Sequence, residues 1–259
     1  MKLSINLNKI ALIRNSRGSI SPSIEYFART ALEENILGLT AHPRPDNRHI
    51  RYEDLVLIRA LTDEYQKEFN IEGNPLELPS SEYKGYLAII EEFKPTQATL
   101  VPDDTNQLTS DHGWSIDDLE DEAFTDQIKN NCSRCSVFVD AGADLNQLKN
   151  KNINAIEIFT GPYADAYKSG NPKHIDEELN KVIFTAESAK KTGLRVNAGH
   201  DLDLDNLVLI KDLNLIDEVS IGHAIISESL NQGFKSTIRQ YIDLIAVSYT
   251  HLRAHETSL

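Results

Sequence analysis

The sequence is poor in cysteine, in positive charge and in long apolar runs, and each shortage removes a class of function. Only two cysteines occur, Cys132 and Cys135, in "CSRC". A C-x-x-C is a redox pair or half of a zinc site, but no second pair completes a ligand set, and Cys135 opens the apolar run "CSVFVD". We read both as structural thiols. Lys and Arg number 26 against 40 Asp and Glu, a formal net charge of −14. A nucleic-acid binder carries a basic patch or domain, so nucleic acid is excluded as a partner, whereas small phosphates need only a few local arginines. No run approaches the roughly 18 apolar residues of a membrane span. The start, "MKLSINLNKIALIRNSRG", is interrupted by polar residues too early for a signal peptide. The expectation is a cytoplasmic protein with no membrane partner.

What is present is ordinary globular material: 259 residues, 40% hydrophobic and 25% charged. Short runs of strand character recur near residues 3, 37, 69, 97, 135, 155, 195 and 218. Segments of helical spacing lie between them, such as "SPSIEYFARTALEEN", "RYEDLVLIRALTDEYQKEF", "SSEYKGYLAIIEEF" and "HIDEELNKVIFTAESAKKTG". Ser21 before Pro22, Asp54 in a first turn and Gly193 after "KK" mark helix ends. Eight alternating units predict an α/β fold, the (β/α)8 TIM barrel. The alternative, an open doubly wound sheet, normally shows a G-x-G-x-x-G turn after its first strand, and "NKIALIRNSRG" has none.

Two intervals fit the repeat less well. Residues 103–134 have room for an extra helix or a lid, and "AGADLNQLKNKNIN" leaves about two helical turns after the fifth strand. No linker divides the chain, so residues 1–246 are expected to form one domain. The last segment, "VSYTHLRAHETSL", breaks the pattern and looks foreign; residues 247–259, with His251 and His255, are set aside.

In a TIM barrel the strand C-termini build the site. There stand Asn6 and Asn8 with Arg14 and Arg17 after them, His42 with Arg44 and His49, Glu72, Glu157, Asn197 and His200, and Gly222 with His223. One histidine at a strand end is more often structural; four of the six usable ones at such ends point to proton transfer. Glu72 and Glu157 are either salt-bridge partners for arginine or inward carboxyls with shifted pKa. The run "DDLEDE" at 117–122 reads as a solvated face, and "TGPYADAYKSGNP" as either a lid or a surface loop. "NAGH" and "SIGHA" bring bare backbone and helix N-termini to one anion, and Arg17, Arg44 and Arg48 supply a second grip.

The motifs "INLNKIALIRNSRG", "GLTAHPRPDNRHI", "NIEGN", "LVP", "IEIFTGPYA", "VNAGH" and "SIGHAII", in this order over residues 3–246, resemble the pyridoxine 5'-phosphate synthase family of vitamin B6 biosynthesis. The resemblance implies condensation of 1-deoxy-D-xylulose 5-phosphate with 3-amino-2-oxopropyl phosphate to pyridoxine 5'-phosphate, phosphate and water. It implies no cofactor and no metal, since no step is redox, and an assembly of dimers into an octamer. By resemblance His42 is the general base, Glu72 a second acid/base group, His200 the general acid, and Glu157 the carboxylate that steadies charge on the amine or imine intermediates. Asn6, Arg17, Gly222 and His223 would hold the aminoketone phosphate, and Arg44, His49 and Thr109 the deoxyxylulose phosphate. Lys9 stands where the family often has His, beside Asn8 where Asp is common, and both touch that second pocket. Asp201 stands where Gly is frequent, at an expected backbone contact. Two other readings use the same residues: a metal-dependent isomerase or aldolase on a phosphorylated sugar with His42, His200, His223, Glu72 and Glu157 as ligands, and a non-catalytic phosphate-ligand sensor. The arginines beside His42 would repel a cation, and a sensor needs no acid/base cluster.

Overall fold

The eight strand-like runs become eight strands: β1 (Lys2–Asn6), β2 (Gly38–Ala41), β3 (Glu68–Gly73), β4 (Gln97–Leu100), β5 (Arg134–Asp140), β6 (Ala155–Phe159), β7 (Arg195–Gly199) and β8 (Glu218–Ile221). In the computed structural model, which describes residues 1–120 and 123–246, every neighbouring pair is parallel. The pairing of Lys2 with Glu218 and of Ile5 with Ile221 closes the sheet into a barrel. This is the (β/α)8 architecture expected from the repeat. The segment from 247 on, with its two histidines, and Asp121 and Glu122 of the acidic run lie outside the described residues; Asp117 and Asp118 of that run are exposed.

Ten helices surround the barrel among the described residues: α1 (Asn8–Asn15), α2 (Ile24–Leu32), α3 (Tyr52–Tyr65), α4 (Tyr86–Phe93), α5 (Ala123–Ile128), α6 (Gly161–Ser169), α7 (Pro172–Lys191), α8 (Leu207–Asp212), α9 (His223–Gln232) and α10 (Phe234–Ala246). Several expectations need correction. After β5 there is no helix of two turns but a single 3-10 turn, Leu145–Gln147, because "KNKNIN" offers no apolar spacing to continue it. "TGPYADAYKSG" is neither lid nor loop: Pro162 sits in the first turn of α6, Tyr163, Ala164 and Ala166 are buried, and Gly170 ends it at φ +66°. The N-cap of α2 is Ser23, whose hydroxyl accepts from the Tyr26 N–H, two residues past the expected Ser21. The "NKIALIRN" segment is helix α1. Asp54 and Gly193 (φ +81°) do mark helix ends as read, and the 103–134 interval holds α5.

Strand residues divide by direction. Those pointing outward, such as Ile5, Leu39, Ile71, Val137, Ile158, Val196 and Val219, are fully buried under the helices; each contributes roughly 1.5–3 kcal/mol of burial. Most of those pointing inward are polar; Phe138 and Phe159, at the C-terminal end of the barrel, are apolar exceptions. Ser4, Thr40, Asn70 and Thr99 form a chain of side-chain hydrogen bonds across β1 to β4, continued from Thr99 to Gln97 and from Gln97 to Asn197 on β7. At the bottom, Arg134 pairs with Glu68 and Arg195 with Glu218. Cys135 is buried, Cys132 is half-buried, and burial pushes the Cys132 thiol up to about 11, in keeping with structural thiols.

One buried ion pair ties the first helix to the second βα unit. Arg14, at the end of α1, donates to both carboxylate oxygens of Asp54, 2.8 Å for Nη2 to Oδ2, while Asp54 accepts the Arg51 N–H at 2.9 Å. Asn15 Nδ2 donates to the carbonyls of Arg48 and His49 at 3.1 and 2.7 Å. The basic loop after β2 is thus fixed from behind. Asp54→Ala leaves Arg14 buried without its counter-charge, and urea unfolding is expected to show a loss of roughly 3–5 kcal/mol.

Candidate active site

At the C-terminal end of the barrel the strand ends open into a cavity of about 560 Å3. It receives His42 and, from the loop after β2, Arg44, Arg48 and His49; Glu72 from β3; Glu157 from β6; and His200 with Asp201 after β7. Asn6, Asn8, Lys9, Thr109, Gly222 and His223 complete the set expected from the sequence. Arg14, Arg17 and Asn197 fall outside: Arg17 is exposed on the turn after α1, Arg14 is buried against Asp54, and Asn197 belongs to the hydrogen-bonded layer deeper in the barrel. The four strand-end histidines all meet here, and His112 and His174 do not.

His42 and Glu72 form the buried centre. Nδ1 of His42 stands 3.7 Å from Glu72 Oε2, and the backbone N–H of His42 donates to Asn8 Oδ1 at 2.9 Å. Burial, reinforced by Arg44 and Arg48, pulls the His42 imidazole down to about 3, so the ring is neutral and able to accept a proton. Burial together with Asp103 and Glu218 pushes the Glu72 carboxyl up to about 8. Burial, with Glu72 and Glu218 nearby, lifts Glu157 well above the usual carboxylate range. Neither carboxyl is matched with an arginine or lysine among the described residues, which separates them from ordinary salt-bridge partners. Glu157 has room because the end of β7 is glycine: a β-carbon on Gly199 would lie 2.1 Å from Glu157 Oε1.

The basic loop grips protein as well as lining the cavity. Arg44 Nη1 donates to Asp103 Oδ2 at 2.5 Å and Nη2 to the Asp104 carbonyl, and Arg48 donates to the carbonyls of Thr105, Gln107 and Leu108. The segment after β4 is drawn over the cavity mouth, where the Thr109 hydroxyl lies 2.9 Å from His200 Nε2. Arg44 is 3% exposed, yet its Nε–H finds no protein acceptor. A buried donor left open in this way carries a cost that an acceptor from outside the protein would relieve. Asp103, also 3.4 Å from His42 Nε2, is a site residue missed in the sequence. It stands three residues past the end of β4, so the strand-end rule extended along "LVPDD" would have found it.

Across the cavity, Gly222 caps α9, whose first residue is His223, and a β-carbon at Gly222 would press on Asn6 at 3.0 Å. Lys9 reaches this side, and so does Lys168 from α6, a cation missed because its segment did not read as helix. Burial, with Lys9 next, lowers the His223 imidazole. The helix that follows Asp201 starts at Leu207, so of β7 and β8 only β8 feeds directly into a helix N-terminus. Asp201 itself has φ +57°, the left-handed conformation that glycine takes without penalty. Among the described residues no three His, Cys, Asp or Glu side chains gather as metal ligands.

A family model described as "Pyridoxal phosphate biosynthesis protein PdxJ" matches residues 3–247. The chain belongs to this family. A pyridoxine 5'-phosphate synthase of Xanthomonas axonopodis pv. citri (strain 306) is 44% identical over 248 residues, covering 94% of this chain and 96% of that protein. One from Xylella fastidiosa (strain M23) is 43% identical over 251 residues, 94% of each. The family and these relatives place the function in vitamin B6 biosynthesis, as an enzyme of that kind acting on small phosphorylated substrates. More distant solved structures share only the fold. They include a thiamine phosphate pyrophosphorylase from Pyrococcus furiosus (TM-score 0.59, 15% identity, 94% of each chain) and a tryptophan synthase α-subunit from the same organism (TM-score 0.58, 11% identity, 95% and 98%). No described helix is long and apolar enough to cross a membrane.

The raised Glu72 carboxyl fixes a sign for stability. Its proton is favoured in the folded state, so its stabilising contribution is complete below 4.5 and is lost as pH rises through about 8. Glu72→Gln keeps the shape and cannot ionise. Its Tm relative to the parent protein is expected to climb between pH 4.5 and 8 and level off above; thermal scans across that range check it.

Proposed function

We propose that the cavity condenses 1-deoxy-D-xylulose 5-phosphate with 3-amino-2-oxopropyl phosphate, giving pyridoxine 5'-phosphate, inorganic phosphate and water. The observation that carries this reading is a neutral imidazole, His42, 3.7 Å from a carboxyl raised to about 8, Glu72, between two separate groups of cations. Imine formation, phosphate loss and ring closure each move protons between carbon, nitrogen and oxygen, which a base and a protonated acid in contact can pass on.

In this reading His42 takes the proton from the sugar phosphate and Glu72 relays it. His200 delivers protons to leaving oxygens, and Glu157 balances charge on the amine and imine intermediates. The aminoketone phosphate sits against Gly222 and His223 at the start of α9, with Asn6 beside it. The deoxyxylulose phosphate takes the open Nε–H of Arg44, with His49 and Thr109. Asn8 and Lys9 border both. Arg17 can join only through a change in the turn after α1. Dimers assembling to an octamer, implied by the family resemblance, and the cytoplasmic setting expected from the sequence belong to the same reading. The domain is taken to end near residue 246, in line with a family match that stops at 247.

The direct test mixes chelator-treated protein with both substrates and follows both products. Pyridoxine 5'-phosphate and phosphate are expected in equal amounts, only when both substrates are present. Binding without turnover would instead indicate a sensor, and turnover restored only by divalent metal would indicate a metal-dependent enzyme. His42→Asn and Glu72→Gln are expected to lower kcat by roughly 100- to 10,000-fold with the fold retained. Arg44→Ala is expected to act mainly on the KM for the sugar phosphate; near-native kinetics in any of the three would remove the role given to that residue.

A further inference from the structure

The His200 ring is held from both sides. Nδ1 lies 2.9 Å from Asp201 Oδ2, and Nε2 lies 2.9 Å from the Thr109 hydroxyl. Phe159 and Phe138 pack on the ring at centroid distances of 5.0 and 6.5 Å. The Thr160 hydroxyl is fixed against the carbonyls of Gly199 and His200, at 2.7 and 2.6 Å. The backbone pays for this arrangement: His200 and Asp201 both have positive φ, +84° and +57°. An L side chain is disfavoured there and glycine is not. The main-chain duty of residue 201, a carbonyl accepting from Asn206 Nδ2 at 3.0 Å, needs no side chain. What the aspartate adds is the contact to the ring, and that contact holds its own carboxyl below the usual range.

We propose that Asp201 is a positioning residue for His200: its carboxylate accepts the Nδ1–H and leaves Nε2, the nitrogen facing the cavity mouth, to exchange protons with substrate. A neutral imidazole has one N–H and one lone pair, and the partner of one nitrogen decides the role of the other. A carboxylate at Nδ1 repels a lone pair, so that nitrogen is the donor. Nε2 then accepts from the Thr109 hydroxyl until substrate displaces it. In the protonated ring Nε2–H gives its proton to a leaving oxygen and keeps the lone pair, while Nδ1–H stays on the carboxylate. The effect on turnover rests on the reading of His200 as general acid; the choice of tautomer does not.

Asp201→Gly and Asp201→Asn test this. The glycine variant relieves the backbone and removes the carboxylate, so its Tm is expected to equal or exceed that of the parent protein while kcat falls about tenfold and KM moves less than threefold. Asn tolerates the same backbone and can still accept the Nδ1–H, so its kcat is expected to lie between the two. Solid-state 15N NMR of histidine-labelled protein near pH 8.5, where an ordinary imidazole is neutral, reads the tautomer, with His200 assigned by difference from His200→Asn. The Nδ1–H form is expected in the parent protein and a mixture in the glycine variant. An unchanged tautomer, a kcat within twofold, or a loss confined to KM overturns the proposal. If His200→Asn itself turns over normally while the tautomer shifts as expected, it is the catalytic reading of His200 that fails and not the positioning.

Discussion

The barrel interior is largely polar, and a buried polar atom must find a partner or cost stability; that constraint governs the rest of the molecule. The relay from Ser4 through Thr40, Asn70 and Thr99 to Gln97 and Asn197 satisfies it over most of the barrel's depth. It also builds the floor on which Glu72 and Glu157 stand. Apolar packing there would offer those carboxyls nothing, and a cation would ionise them. A neutral hydrogen-bonded layer, with Glu218 below, favours their protonated forms.

The fold was legible because parallel strands buried on both sides read as short dense runs, and eight of them survive any uncertainty about the helices between. The helices were less so. α1 has charged and polar residues on several faces, and α6 begins with Gly and Pro, which punctuate loops as often as they start helices. Both are held by tertiary contacts rather than by their own periodicity. The structure joins Cys135 to the outer core and leaves the acidic residues Asp117 and Asp118 in solvent, as composition suggested.

The site was legible to the same depth. Polar residues at strand ends need only the count of strands to be placed, and His42, Glu72, Glu157, His200 and His223 came that way. Arginines are different, because their reach hides which way they turn. Arg14 and Arg17 are three positions apart on one segment, yet one is buried against Asp54 and the other faces solvent. Arg44 and Arg48 bind the segment after β4 as firmly as they line the cavity, their guanidinium groups held by Asp103 and by main-chain carbonyls.

The contact between Gly199 and Glu157 has a consequence for how this chain can diverge. The two residues lie on neighbouring strands, and the carboxyl occupies the space a β-carbon at 199 would need. A drift to alanine at 199 therefore requires the carboxyl at 157 to swing out of its present position or to be shortened. The identity tolerated at one position is tied to where the acid stands at the other, although the residues lie far apart in the chain.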